Sequence, residues 1–220
     1  KKALSKGALM TDSIDWSTDI AAVHAQSVRE NKPLFLFFCS PGCYFCQKME
    51  MDSYTRDKVV ALFKKGILAV RVSPEDPTWF KSYGVKFTPT CLLLNPEGNE
   101  EERSTGFLEA SGLMAFLLLG LAKSYYDMGR LEEGKECVEI LTHDYPNSAQ
   151  APEAFFLRGI FRYHTDQNRD HFKEAYDILY DRYKDNIWTK RARLLYLYPC
   201  ALFRWQTFRK QKGDFWDKDD

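Results

Sequence analysis

The sequence of 220 residues has no apolar run long enough to cross a membrane. Its most apolar stretch, residues 113–121, falls well short of the ~18 uninterrupted apolar residues a helical span needs, so no integral membrane span is expected. It has no net charge either: Lys and Arg number 31, and so do Asp and Glu. A division near Ala110 leaves 14 of each sign before it and 17 of each after it. Neither half has the basic excess of a nucleic-acid binder, so no nucleic-acid partner is expected. Histidine is scarce, at 4 residues, and forms no ligand pattern. His24 and His143 fall in helical stretches and His164 and His171 flank a turn, which points to surface or capping roles. The 6 cysteines are too scattered for a disulfide framework in a chain of this length. Residue 1 is Lys, not Met, and Lys1-Lys2-Ala3-Leu4 opens like a signal peptide. It lacks the apolar core of ~7–15 residues that would follow in one. A cytoplasmic location is expected, or a periplasmic one if a leader has been removed.

What the chain does have is hydrophobic residues at 45% and aromatics at 15%, ample for packed cores. Its densest chemical signal is Cys43-Tyr44-Phe45-Cys46. In front of the pair, Pro33-Leu34-Phe35-Leu36-Phe37-Phe38-Cys39 reads as a buried strand. Ser40-Pro41-Gly42 breaks it, and Gln47-Lys48-Met49-Glu50-Met51 continues as a helix. The first thiol therefore falls where a strand hands over to a helix N-terminus. Unpaired N–H groups and the helix dipole favour a thiolate there, and a thiolate is the nucleophile of disulfide chemistry.

Residues 16–116 resemble the thioredoxin family. A helix is expected over residues 19–31, with Ile20, Val23, His24 and Val28 on one face, followed by Lys32-Pro33-Leu34 entering the strand. Gly66-Ile67-Leu68-Ala69-Val70-Arg71-Val72 reads as the next strand. Tyr83-Gly84-Val85-Lys86-Phe87-Thr88-Pro89-Thr90 resembles the family's entry to a later strand, Asn95-Pro96-Glu97-Gly98-Asn99 reads as a hairpin turn, and Gly106-Phe107 precedes a final helix. Pro89 lies 46 positions after Cys43, about the separation by which the family brings its cis-proline beside the active-site sulfur. The resemblance implies that Cys43 attacks and Cys46 resolves. It also implies that Thr88 and Pro89 present the substrate backbone, with Tyr44 and Phe45 forming an apolar substrate-binding surface. The family often has a buried carboxylate six residues before the first cysteine; Phe37 stands there, so the Cys46 proton must leave another way. Glu50, four residues after Cys46, could share its helix face but reads first as a surface glutamate. Cys39 and Cys91 are expected as packed, reduced thiols on neighbouring strands, and Cys137 and Cys200 as core residues on helices.

From about Ser111 onward the pattern is helical. Leu118, Leu121, Ala122, Tyr125, Gly129, Leu131, Gly134, Val138, Leu141 and Pro146 fit the spacing of a tetratricopeptide repeat. A degenerate second unit follows, with Ala154, Phe155 and Gly159 on one helix and Phe172, Ala175, Tyr176 and Leu179 on the next, across a turn at residues 164–170. A last helix over residues 188–208 would be broken by Pro199. The fold class expected is α/β: a thioredoxin fold over residues 1–112, then an all-α tetratricopeptide-like domain over residues 113–220.

Two rival chemistries share these cysteines. Cys39, Cys43 and Cys46 have the spacing that holds an iron–sulfur cluster in radical enzymes, but the helical second half supplies no barrel of further strands. Cys39, Cys43, Cys46 and Cys91 could surround zinc, but no second C-x-x-C supports it. No metal or other cofactor is expected. Two functions are carried forward. One is a thiol–disulfide oxidoreductase that reduces or exchanges disulfides in protein substrates. The other is a chaperone-like protein that binds clients, with a protein partner on the helical repeats.

Overall fold

In the computed structural model, residues 13–75 and 77–199 are described. The chain divides into two compact units, residues 1–128 and 129–220.

The first unit is built on a five-stranded mixed sheet, in the order β1-β3-β2-β4-β5. The strands are β1 (Trp16–Ser17), β2 (Leu34–Phe38), β3 (Leu68–Val72), β4 (Thr90–Leu94) and β5 (Glu100–Thr105). Strand β3 runs parallel to β1 and β2, whereas β4 is antiparallel to β2 and β5. The continuous apolar sequences of β2 and β4 follow from their central place, because both faces of each strand are buried. Alternation then sorts the side chains. Leu34, Leu36 and Phe38 face one layer with Leu92, Leu94, Val70, Val72 and the apolar face of α1 (Ile20–Glu30). Phe35 and Phe37 face the other layer, where rings from Trp16, Tyr54, Phe63 and Phe116 meet them.

Helix α1 starts where the Asp19 carboxylate accepts the Ala22 N–H at 2.9 Å and ends at Asn31 in the left-handed region. Helix α2 (Tyr44–Lys48) runs into a π-helical turn, Met49–Ser53, before α3 (Asp57–Lys64). The Tyr54 N–H reaches back to the Met49 carbonyl at 2.9 Å, so Met49, Ser53 and Tyr54 are all turned inward. Helix α4 (Pro77–Ser82) lies between β3 and β4, and Phe80 and Tyr83 pack edge-on against Phe38. Helix α5 (Ala110–Asp127) is buried at every residue from Leu113 to Tyr125 and packs on β4, β5 and α3. A Cβ at Gly120 would meet Leu93 Cδ2 at 2.6 Å, so only glycine lets this helix lie so close to the sheet.

The second unit consists, among the described residues, of α6 (Leu131–Asp144), α7 (Ala151–Asp166), α8 (Asp170–Arg182) and α9 (Ile187–Leu197). Successive helices pack on each other, and α7 also meets α9. Gly159 allows a close crossing of α7 and α8: an added Cβ would stand 3.0 Å from both Ala175 Cβ and the His171 carbonyl oxygen. Arg162 on α7 clamps Glu139 of α6 at 2.7 Å and Glu174 of α8 at 2.8 Å. The turn between α7 and α8 is shorter than the sequence pattern suggests, since α7 continues to Asp166 and Gln167 closes it in the left-handed region. Helix α9 ends two residues before Pro199, whose ring disfavours helical geometry in the residue preceding it. The remainder of the helix expected to residue 208, and Cys200, lie outside the described residues.

Candidate active site

Strand β2 ends at Phe38, and the next backbone N–H, that of Cys39, still bonds to Val72 at 3.1 Å. The chain then reverses. The Cys43 N–H donates to the Ser40 carbonyl at 3.2 Å, and Gly42 takes φ +77°, a value that L side chains rarely adopt. Cys43 is thereby set as the N-cap of α2. Its Sγ accepts the Cys46 N–H at 3.2 Å, one of the helix donors that has no partner within the helix. The two cysteines are joined in a disulfide with Cα atoms 5.3 Å apart. Cys43 is half-buried and Cys46 is 4% exposed, so the first sulfur is the one a partner can reach.

The loop that carries Pro89 is tied to this turn by the Ser40 and Thr88 hydroxyls, 2.9 Å apart. The Thr88–Pro89 peptide is cis. Thr90 Oγ1 donates to the Phe87 carbonyl at 2.8 Å, and the Gly106 N–H donates to the Pro89 carbonyl at 2.8 Å. Tyr44 and Phe45 are exposed, with ring centroids 5.4 Å apart. The structure thus brings Cys43, Cys46, Tyr44, Phe45, Thr88 and Pro89 into one region.

It adds Phe87 and Phe107, which the sequence reading did not single out. Phe107 lies 6.1 Å from Phe45, centroid to centroid, and Lys48 Nζ sits 5.0 Å from its ring centre. A groove of ≈ 500 Å³ opens beside it, lined by Lys48, Asp52, Arg56, Phe107, Glu109, Ala110 and Ser111. The available signal was adjacency: Phe87 precedes Thr88, and Phe107 follows the glycine bonded to Pro89.

In the layer behind the pair, Phe37 stands six residues before Cys43. It is fully buried, 5.1 Å from the Tyr54 ring and 6.0 Å from that of Trp16. Its antiparallel partner on β4 is Cys91. The Cys91 sulfur and the Tyr54 hydroxyl are 3.6 Å apart. Burial pushes the Cys91 thiol up to about 12, with the Tyr54 hydrogen bond acting against it. Burial likewise raises the Tyr54 phenol well above its ordinary value. Cys39 is raised mainly by burial and then by the charge of Glu50, with Arg71 opposing. Cys39 and Cys91 are reduced thiols, and Cys137 is buried.

Glu50 is not simply solvated. Its Oε1 lies 3.0 Å from Arg71 Nε, an ion pair between two partly exposed side chains. The Arg71 guanidinium in turn lies 4.5 Å from the Trp16 ring. No three His, Cys, Asp or Glu side chains converge as metal ligands among the described residues.

Residues 21–119 match the family model of the thioredoxin-like domain. This chain carries a thioredoxin-like domain. A curated relative, the thiol:disulfide interchange protein DsbD of Klebsiella pneumoniae, is 30% identical over 94 residues. That match covers 40% of this chain and 16% of the relative's length. Among solved structures, a thioredoxin from Thermus thermophilus is 22% identical with a TM-score of 0.47, covering 54% of this chain and 95% of that one. The reduced C-terminal domain of DsbD from Neisseria meningitidis is 21% identical with a TM-score of 0.40, covering 47% and 96%. The thioredoxin-like domain and its Cys43–Cys46 pair support thiol–disulfide oxidoreductase chemistry. No helix among the described residues is long and apolar enough to cross a membrane.

Proposed function

We propose that the protein reduces or exchanges disulfides in protein substrates, with Cys43 as the attacking sulfur and Cys46 as the resolving one. The observation that carries this reading is the position of Cys43: a reachable sulfur that caps a helix and is already bonded to its buried partner. In the reduced protein the Cys43 thiolate attacks one sulfur of a substrate disulfide. That S–S bond breaks, a mixed disulfide forms, and the departing substrate thiolate takes up a proton. Cys46, after losing its proton, attacks the Cys43 sulfur. The mixed disulfide breaks and the second substrate thiol leaves. Two electrons have passed to the substrate, and the protein holds the Cys43–Cys46 disulfide. A dithiol donor returns it to the reduced state by the same two steps in reverse. Thr88 and Pro89 would border the substrate chain, and Tyr44 and Phe45 would contact it.

The test is turnover of insulin disulfides with dithiothreitol as donor. C43S should lower the rate by about a thousandfold or more, the scale expected when a nucleophile is removed. C46S should accumulate a mixed disulfide that is visible by mass. A C43S protein as active as wild type would refute the assignment.

A second reading, client binding on the helical unit, is favoured by the exposed Tyr180, Leu194, Tyr196, Leu197 and Tyr198 of α8, α9 and the residue after it. It predicts that C43S still suppresses aggregation of an unfolded client, and that Y180S with L197S does not.

A further inference from the structure

The charge of this protein is balanced in total and uneven along the chain. Residues 186–212 hold seven Lys and Arg and not one Asp or Glu, with six aromatic residues among them. The nearest acids before this stretch are Asp181 and Asp185, and the first after it is Asp214. Helix α9 lies inside it. One face of α9 is turned inward: Thr189, Ala192 and Leu195 are buried, and Thr189 Oγ1 donates to the Tyr183 carbonyl at 2.6 Å. Helical spacing puts Ile187, Lys190, Arg193, Leu194 and Leu197 together on the opposite face. All five are exposed, the aliphatic three by 43%, 38% and 50% in chain order. Tyr198, the next residue after the helix, is 61% exposed. The helix has no acidic residue of its own to neutralise the two cations.

We infer that this face of α9 docks on an anionic lipid bilayer, a property separate from the sulfur chemistry and independent of it. The argument rests on how the side chains are interleaved. Basic and aliphatic residues occupy one stripe, with Lys190 and Arg193 between Ile187 and Leu197. A protein interface keeps such cations at its rim, because each one buried there needs its own carboxylate. A bilayer surface satisfies both kinds at once. Ile187, Leu194 and Leu197 enter the boundary between headgroups and acyl chains, and the long stems of Lys190 and Arg193 carry their charges back to the headgroup phosphates. Tyr198 has the amphipathic ring that settles at headgroup level. Charge fixes the lipid class: a neutral bilayer accepts the aliphatic side chains and leaves the cations without counter-charge, whereas an anionic one attracts them. The attachment is to the surface, since no helix among the described residues is long and apolar enough to cross. Client binding on the helical unit draws on Leu194, Leu197 and Tyr198 as well, and the two interleaved cations are what favour the bilayer over a polypeptide.

The experiment sediments the full chain with vesicles of phosphatidylcholine alone and with vesicles of phosphatidylcholine and phosphatidylserine. Wild type should bind the phosphatidylserine vesicles at least about tenfold more tightly, and added salt should shrink the difference. K190E with R193E should weaken that binding by about tenfold or more, and L194S with L197S by about tenfold. K190R with R193K keeps both charges and should keep the affinity. K81E, at an exposed lysine of α4, should leave it unchanged. Circular dichroism of each variant checks that the helices are retained. No binding to either vesicle would overturn the inference. So would equal binding to both, or a K81E loss as large as that of K190E with R193E. Capture of soluble polyglutamate without any binding to vesicles would assign the face to an acidic polypeptide and overturn it as well.

Discussion

Cys43 and Cys46 share the first unit with Cys39 and Cys91, yet the two sets of sulfurs meet different surroundings. Cys43 caps a helix, accepts an N–H and can be reached from solvent. Cys91 is fully buried beneath Phe37 and Tyr54, and Cys39 is half-buried at the end of β2 between the influences of Glu50 and Arg71. The side chain is identical in all four. Reactivity therefore comes from what surrounds each sulfur: a helix start with free donors favours the charged form, and an apolar layer forbids it.

The largest effect that could break this comparison is chemical labelling. With its thiol pushed to about 12 against an ordinary 9.0, Cys91 holds about a thousandfold less thiolate at neutral pH. In the reduced protein iodoacetamide should modify Cys43 first, Cys39 slowly, and Cys91 only after unfolding. Peptide mapping over time reads the order directly, and early labelling of Cys91 would mean that the layer is open. Next comes stability. C91A opens a small cavity and deprives the buried Tyr54 hydroxyl of its sulfur partner, at a cost of about 2 kcal/mol. Urea unfolding of the reduced protein should show it, with disulfide exchange left near wild type; a loss of exchange would instead tie Cys91 to the chemistry.

Alkaline pH sharpens the same point. The Cys91 value rises on folding from 9.0 to about 12, so the folded protein keeps a proton that the unfolded chain releases. The contribution to stability is whole below about pH 9 and is lost as pH climbs toward 12. Tyr54, also raised by burial, acts in the same direction. Urea midpoints at pH 8, 10 and 11 should fall, and C91A should flatten part of the slope. The smallest effect concerns Cys39. Glu50 raises its thiol value and Arg71 lowers it, both after burial. E50Q should therefore speed Cys39 alkylation and R71M should slow it. The same rate in both variants would show that the pair does not act on this sulfur.

The strand–turn–helix around Cys43 was legible in the sequence because it is local: an apolar run, a Ser-Pro-Gly break and a C-x-x-C lie within about a dozen residues. The order of β2, β3 and β4 was legible for the same reason, each strand being a short apolar run closed by turn residues. Helices α7 and α8 could be read from their 3.6-residue spacing. What escaped depends on contacts across long stretches of chain. Phe107 reaches Phe45 from 62 positions away, and Arg71 meets Glu50 from 21, with no periodicity to announce either. The π-helical turn escaped because Met49-Glu50-Met51-Asp52-Ser53 has ordinary helical residues. Its extra residue per turn is imposed by packing, which turns Met49 and Tyr54 inward together. The glutamate read as a surface residue is partly exposed, as expected of its type, but its partner came from another element.

Gly120 has a consequence for how this chain can drift or be engineered. In a long exposed helix, replacing glycine by alanine is an easy gain, worth ~1 kcal/mol in helix propensity. Here that route is closed, because the first methyl carbon would enter the space of Leu93 Cδ2 and press on Glu102 Cβ at 3.1 Å. The substitution would have to lift α5 from β4 and β5 or re-seat two strand residues at once. The hydrogen on Gly120 thus leaves the room that Leu93 and Glu102 occupy, and a side chain at this position requires both of them to shift.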